Sequence, residues 1–139
     1  MEADRGRNNN LRKAIIDTNI LMYIFTRKAD VFTQLRNLGY RRFIFPIHII
    51  RELENLSKTL GGDEKRAALF ALAIIENCGD CDVIEIEAEG SDNAILKLAE
   101  MENAAVITND RMLRKRAQEI GLKVGYLREM KYVEMDDDY

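Results

Sequence analysis

The chain has 139 residues, of which 47% are hydrophobic and 32% are charged, and its formal net charge is −3. This composition is typical of one soluble globular domain, and it excludes an intrinsically disordered chain. No apolar run approaches the ~20 residues that span a bilayer, and the opening MEADRGRNNNLRK lacks the apolar segment of a secretory signal. We therefore expect a cytoplasmic protein without a membrane anchor.

Short apolar segments alternate with longer segments of helical periodicity along the chain. The segments KAIID, RFIF, DVIEI, AAVIT and KVGYL predict strands at 13–17, 42–45, 82–86, 104–108 and 123–127. The periodicity predicts helices at 19–39, from 46 to just before 61, and at 63–77, 91–102 and 110–120. Because strands that alternate with helices form right-handed crossovers, we expect a three-layer α/β/α sandwich around a central, mainly parallel five-stranded sheet.

The ends of the chain differ in composition from its middle. We expect a single domain over residues 13–135, preceded by a flexible polar lead-in at 1–12 and followed by an acidic tail at 136–139. No glycine-rich phosphate loop follows any of the predicted strands, which argues against a nucleotide cofactor.

The two cysteines, Cys78 and Cys81, form a single C-x-x-C motif. One such pair cannot supply a four-ligand zinc site, and the only histidine, His48, lies far away in the sequence. We favour a pair of thiols in a turn, with a local disulfide under oxidising conditions as the alternative.

Acidic side chains follow the predicted strands at the points where ligands bind to open parallel sheets. Asp17 ends the first strand, Asp92 opens the helix after the third, and Asp110 follows the fourth. Glu52 lies in the second turn of the helix after the second strand, at the border of its apolar face. We therefore expect these four carboxylates to meet at one edge of the sheet.

Helix capping is the competing explanation, since aspartate is a preferred N-cap and suits the first turn of a helix. Each of the three aspartates, however, has a neutral capping residue beside it, and Glu52 lies well inside its helix. Clustered carboxylates repel one another, and a divalent cation relieves that repulsion. Hard oxygen ligands favour Mg²⁺ or Mn²⁺ as the cation.

The segments IIDTNILMYIF, HIIRELENL, GSDNAIL and AVITND together resemble, in order and spacing, the four acidic motifs of PIN-domain ribonucleases. The resemblance extends from Lys13 to about Leu127, and it implies a parallel α/β/α sandwich. It also implies hydrolysis of single-stranded or structured RNA that depends on Mg²⁺ or Mn²⁺. The residues that match the catalytic metal ligands of the family are Asp17, Glu52, Asp92 and Asp110.

Other positions of the motifs carry secondary expectations. Asn19 and Thr108 match the polar residues that often support the acids, whereas Asn93 stands where a second acid is often found in the third motif. Asn93 would weaken a second metal site. Arg111, directly after Asp110, is the candidate for a phosphate contact with the substrate.

The resemblance leaves the biological role open between two kinds of PIN ribonuclease. The motifs are similar both to archaeal relatives of ribosomal-RNA-processing nucleases and to toxin-type PIN ribonucleases. The expected partners are RNA, a second copy of the chain in a homodimer, and either a ribosome-assembly factor or an antitoxin. The main alternative is a PIN-fold scaffold that binds RNA or protein in ribosome assembly with little or no cleavage, against which the intact acidic quartet argues.

A phosphatase of the haloacid dehalogenase type is disfavoured by one residue. Such an enzyme has a second aspartate two positions after the first, and Asn19 occupies that place here.

Overall fold

A computed structural model describes residues 11–136 of the chain. Within them the strands are β1 (Arg12–Ile16), β2 (Tyr40–Pro46), β3 (Cys81–Ile84), β4 (Ala105–Ile107), β5 (Val124–Arg128) and β6 (Tyr132–Asp136). The helices are α1 (Thr18–Thr26), α2 (Val31–Asn37), α3 (Ile47–Thr59), α4 (Gly62–Asn77), α5 (Gly90–Glu102) and α6 (Arg111–Glu119). The predicted alternation of strands and helices is therefore confirmed.

The strands form one sheet in the order β3-β2-β1-β4-β5-β6. All neighbouring pairs are parallel except β5 and β6, which are antiparallel. The chain builds the sheet outward from β1 on one side through β2 and β3, and then crosses to the other side of β1 to form β4. The order of the strands thus reverses between β1 and β4, and this is the point where open α/β sheets bind ligands.

The two central strands are apolar and buried where they pair with each other, from Ala14 to Ile16 and from Ala105 to Ile107, because helices cover both faces of the sheet. Ile15, Ile16, Val106 and Ile107 have no exposed surface. Burial of a side chain of this size contributes about 1.5–3 kcal/mol, so these strands fix the centre of the fold. Their register pairs Ile16 with Ile107, and it brings the residues that follow each strand to the same edge of the sheet.

The sheet has six strands rather than the five predicted. The strand that the prediction missed, β6, is joined to β5 by a tight turn in which Glu129 and Met130 both adopt the left-handed conformation, with φ of 56° and 57°. Such hairpin turns usually carry glycine or asparagine, and this one carries neither. The sequence signal for a hairpin is therefore absent although the hairpin itself forms.

The predicted helix at 19–39 is two helices. The chain leaves α1 after Thr26 and passes through Lys28, whose φ is 53°, before Asp30 begins α2. The Asp30 side chain caps α2 by accepting a hydrogen bond from the backbone N–H of Thr33 at 3.4 Å. Apolar residues recur at helical spacing on both sides of the break, and that periodicity concealed it.

The predicted ends of the domain lie largely outside the described residues. Arg12, assigned to the lead-in, already belongs to β1, and Asp136, assigned to the acidic tail, belongs to β6. Residues 1–10 and 137–139 are not described. Among residues 11–136, none of the helices combines the length and the apolar character needed to cross a membrane.

Cys78, which directly follows α4, and Cys81, which begins β3, are joined by a disulfide, so the favoured interpretation of two free thiols is corrected. Asp80 lies between them and accepts hydrogen bonds from the guanidinium of Arg36 at 2.9 and 3.0 Å. The backbone carbonyl of Asp80 also accepts the N–H of Phe43 at 2.9 Å. The turn is thereby held against α2 and β2, and the close approach of the two sulfurs follows from this tertiary setting.

The side chain of Asn109 continues the sheet beyond the end of β4. Its Oδ1 accepts the backbone N–H of Leu127 at 2.7 Å, and its Nδ2 donates to the Leu127 carbonyl at 3.2 Å. The amide thus takes the place of a backbone peptide group beside β5. It fixes the segment that connects Thr108 to α6.

Replacing Asn109 with alanine should destabilise the fold by about 1–3 kcal/mol, because both polar groups of Leu127 would lose a partly buried partner. The free energy of unfolding in urea measures the effect. Asn55→Ala is the matched control, because Asn55 is exposed on α3 and alanine favours helix, so its change should stay within about 0.5 kcal/mol. Equal losses of stability in the two variants would contradict this account of Asn109.

Candidate active site

Asp17 occupies the position at which β1 ends and α1 begins, and its side chain is 9% exposed. Its Oδ1 accepts the backbone N–H of Thr18 at 2.8 Å, and its Oδ2 accepts the hydroxyl of Thr108 at 2.6 Å. A capping carboxylate usually accepts from the second or third residue of its helix, whereas Thr18 is the first. Asp17 is therefore held in a more specific position than helix capping requires.

The surroundings of Asp17 make its ionised form costly. Burial raises the pKa of Asp17 above its usual value, and the hydrogen bonds from Thr108 and from the Thr18 backbone offset part of that rise. The negative charges of Asp92 and Glu52 raise the same pKa further. Asp92 and Glu52 therefore lie close enough to act on Asp17, and a cation placed among the three carboxylates would stabilise the ionised form.

Glu52 turns its carboxylate toward the start of α1. The side chain is exposed, rather than set at the border of the apolar face as predicted. Its Oε1 accepts a hydrogen bond from the hydroxyl of Thr18. Thr18 is the residue of the site that the sequence analysis missed, because a threonine after Asp17 at a helix start is already explained by capping.

Asp92 lies in the first turn of α5, where its side chain is exposed. The segment before this helix is fixed by His48 of α3, whose Nε2 donates to the carbonyl of Ala88 at 2.9 Å. His48 is therefore a structural residue that holds the start of α5 next to the helix that carries Glu52.

Asn93, the residue next to Asp92, is committed to contacts within the protein. Its Nδ2 donates to the carbonyl of Glu89 at 2.8 Å, and its Oδ1 accepts from the guanidinium of Arg116 at 2.7 Å. The second position of this motif therefore links α5 to α6 and adds no carboxylate to the cluster.

Asp110 is a true N-cap, as the capping explanation requires. Its Oδ1 accepts the backbone N–H groups of Met112 at 2.9 Å and Leu113 at 3.3 Å. Its own N–H donates to the hydroxyl of Thr108 at 3.1 Å, and that hydroxyl in turn donates to Asp17. Asp110 is thus connected to Asp17 through Thr108, whereas the carboxylates that act on the Asp17 charge are those of Glu52 and Asp92.

Two arginines and one asparagine near this edge have different roles. Arg114 donates to the carbonyl of Thr108 at 3.0 Å and stacks over the ring of Tyr126, 5.0 Å from its centroid, so it stabilises the fold. Arg111 is exposed at the start of α6, and Asn19 is exposed in the first turn of α1. These two polar side chains flank the acids and stay accessible from solvent.

The donor set fits a hard divalent cation, because it consists of carboxylate and hydroxyl oxygens around a buried aspartate. Among the described residues, the ligating atoms that converge to within 4.8 Å of one another are those of Cys78, Asp80 and Cys81. That group offers a poor cation site, because its sulfurs form a disulfide and Asp80 is paired with a guanidinium. In this part of the chain, no three acids of the quartet converge that closely.

Comparisons with known proteins agree with the topology and with the motifs. A family model described as PIN like domain matches residues 14–130. Ribonuclease VapC9 of Archaeoglobus fulgidus is 48% identical over 133 residues, which cover 96% of each chain. The matched region therefore spans the positions of all four acids and nearly the whole described structure.

Two solved structures share the fold. The PIN domain endonuclease Utp24 superimposes with a TM-score of 0.70 at 22% identity, over 89% of this chain and 90% of its own. VapBC2 from Rickettsia felis, in a structure bound to a DNA fragment from their promoter, gives a TM-score of 0.59 at 17% identity, over 82% and 98%. With the family model and the full-length relative, they confirm the predicted architecture: the chain belongs to the PIN-like domain family.

Proposed function

We propose that the protein is a metal-dependent endoribonuclease that hydrolyses RNA phosphodiester bonds at the acidic edge of its sheet. The observation that carries the proposal is the buried carboxylate of Asp17, which lies at the switch point of the sheet with the charges of Glu52 and Asp92 acting on it. A buried acid surrounded by like charges lowers the stability of a fold. Such an acid is therefore a candidate for a functional site.

Asp17, Glu52 and Asp92 would hold a Mg²⁺ or Mn²⁺ ion. The second carboxylate oxygen of Asp110, Oδ2, would complete the quartet, because Oδ1 caps α6. A bound divalent cation lowers the pKa of a coordinated water and stabilises the charge that develops on a leaving oxygen. With Asn93 in place of a second acid in the third motif, we propose a single dominant metal site.

The remaining residues of the site orient these groups and the substrate. Thr108 donates to Asp17 and accepts from the N–H of Asp110, so one hydroxyl fixes the ends of both central strands. Arg111 is exposed beside Asp110, where its guanidinium can bind a phosphate of the substrate with two parallel hydrogen bonds. Asn19 is exposed two residues after Asp17, in the first turn of α1, and would support the acids at this edge.

RNA is the proposed substrate because the full-length relative VapC9 is named a ribonuclease. We propose a toxin-type role, with an antitoxin protein as the partner, over a role in ribosomal-RNA processing. The support is the 48% identity to a VapC protein across 96% of each chain, whereas the likeness to Utp24, at 22% identity, concerns the fold alone.

Replacing Asp17 with asparagine should lower the rate of RNA cleavage in Mn²⁺ on the order of a hundredfold or more, because a buried ligand loses its charge. Cleavage of a labelled single-stranded RNA by the purified proteins measures the rate. Asp63→Asn is the control, since Asp63 is exposed in the first turn of α4 and the change again removes one carboxylate. Cleavage at the parent rate by the Asp17 variant would refute a catalytic site at Asp17, whereas a parent that does not cut RNA would favour a scaffold.

Replacing Glu52 with glutamine should weaken Mn²⁺ binding while leaving the metal-free fold nearly unchanged. In EDTA the relief of like charge and the weaker hydrogen bond from Thr18 oppose each other. At a Mn²⁺ concentration 100 times the parent dissociation constant, the parent should gain about 2.7 kcal/mol of stability, and a variant with tenfold weaker affinity only about 1.4 kcal/mol.

Urea unfolding in EDTA and in Mn²⁺ measures both quantities. Glu54→Gln removes an exposed charge from the same helix and should keep the full gain in Mn²⁺. Equal gains for the Glu52 variant and the parent would remove Glu52 from the metal site.

Expression of the parent chain in a bacterial host should arrest growth, because a free toxin-type ribonuclease degrades cellular RNA. Expression of Asp17→Asn to the same level should permit growth. Growth rates after induction, with protein levels matched by immunoblot, are the measurement. Normal growth with a parent protein that is soluble and cuts RNA after purification would reject the toxin-type role and favour RNA processing.

A further inference from the structure

We propose that Thr18 is a positioning residue, whose hydroxyl holds the carboxylate of Glu52 beside Asp17 in the arrangement that binds the metal ion. The inference rests on the proposed function and deepens it, because it assigns a role to a residue outside the acidic quartet. It is carried by one contact between α1 and α3, which are joined at this point by the Thr18 hydroxyl and the Glu52 carboxylate.

Thr18 contacts two acids with two different groups. Its backbone N–H donates to Oδ1 of Asp17 at 2.8 Å, and its hydroxyl donates to Oε1 of Glu52. The residue is 5% exposed and begins α1, so its N–H is fixed by the helix and its side chain has little room to change rotamer. One residue therefore connects the carboxylates of Asp17 and Glu52.

Glu52 needs such a partner more than the aspartates do. Its side chain is long and exposed, and its charge lies close enough to Asp17 to act on that carboxylate. Asp17 is held by burial and two donors, and Asp110 is held as a helix cap. The Thr18 hydroxyl is the contact that turns Glu52 inward, and a hydrogen bond to a charged acceptor is strong enough to orient a flexible side chain.

A purely structural role for Thr18 would predict different contacts and a different tolerance to substitution. A threonine that only fills space at the start of α1 could be replaced by valine, which has the same shape and no hydroxyl. A threonine that only caps the helix would direct its hydroxyl to the backbone of α1, whereas this hydroxyl donates to α3. Asn19, the next polar residue, is exposed and is a separate side chain from the one that contacts Glu52.

The test compares Thr18→Val with Thr18→Ser, which restores the hydroxyl on a smaller side chain. Calorimetric titration with Mn²⁺ alone should give an affinity about 10–100-fold weaker for the valine variant, as is typical when a residue that orients a ligand is lost. The serine variant should bind within about threefold of the parent, because its hydroxyl can donate to the same oxygen.

Thr26→Val is the matched control for loss of a threonine hydroxyl from the same helix. Thr26 ends α1, and its hydroxyl donates to the backbone carbonyl of Met22 at 3.2 Å, away from the acids. Its affinity for Mn²⁺ should equal that of the parent. If Thr26→Val lost as much affinity for Mn²⁺ as Thr18→Val, damage to α1 would explain the effect. That result would overturn the proposal.

RNA cleavage supplies a signature that a damaged fold does not produce. At a Mn²⁺ concentration near the parent dissociation constant, kcat/KM of Thr18→Val for RNA should fall about tenfold. Raising the Mn²⁺ concentration should restore most of the rate, because the defect is in metal affinity. A loss of rate that does not respond to Mn²⁺ would overturn the proposal.

A double-mutant cycle with Glu52→Ala tests whether Thr18 acts through Glu52. Once Glu52 is absent, Thr18→Val should leave the Mn²⁺ affinity unchanged. The same cycle, measured as unfolding equilibria in EDTA, should be non-additive by about fivefold or more, because each single change removes the same contact. Additive effects in both measurements would show that the hydroxyl does not hold Glu52.

The outcomes separate this inference from the proposed function. A parent that binds Mn²⁺ and cuts RNA, with a Thr18→Val variant that does both equally well, overturns the positioning role and leaves the function intact. A parent that neither binds Mn²⁺ nor cuts RNA overturns the function and the catalytic purpose of the contact. The metal-free cycle then still decides whether Thr18 holds Glu52.

Discussion

The burial of one carboxylate, that of Asp17, is the constraint on which the arrangement at this edge of the sheet depends. An ionised group that is 9% exposed must be compensated, and the chain supplies the backbone N–H of Thr18 and the hydroxyl of Thr108. Those two donors come from α1 and from the end of β4, so compensating Asp17 also joins the two central strands. The charges of Glu52 and Asp92 work against this compensation, which is why we interpret the cluster as a cation site.

The fold and the site have a common origin in the register of β1 and β4. Ile16 pairs with Ile107 where both strands are apolar and buried, and the next residue on each strand is polar. A shift of this register by one residue would force the buried side chains on both faces of the sheet to repack and would separate Asp17 from Thr108. Packing in the core therefore fixes the positions of the polar residues at this edge of the sheet.

Hydrophobic periodicity predicted the α/β architecture, and strand ends predicted where the acids lie, because both depend on local patterns. The sixth strand was missed because the turn through Glu129 and Met130 carries no glycine or asparagine. The contact of Thr18 with Glu52 joins residues 34 positions apart on two helices, and no spacing in the sequence encodes it. Side-chain contacts between elements depend on how helices cross, which a pattern along one chain does not specify.

The distribution of basic side chains bears on how a nucleic acid could approach so acidic an edge. Arg114 donates to the carbonyl of Thr108 and Arg116 donates to Asn93, whereas Arg111 and Lys115 are exposed cations of α6. A phosphodiester near several carboxylates is repelled at short range, and one guanidinium offsets only part of that repulsion. We infer that the cation which would compensate Asp17 would also admit the substrate, so that metal binding and RNA binding at this edge are coupled through the same charges.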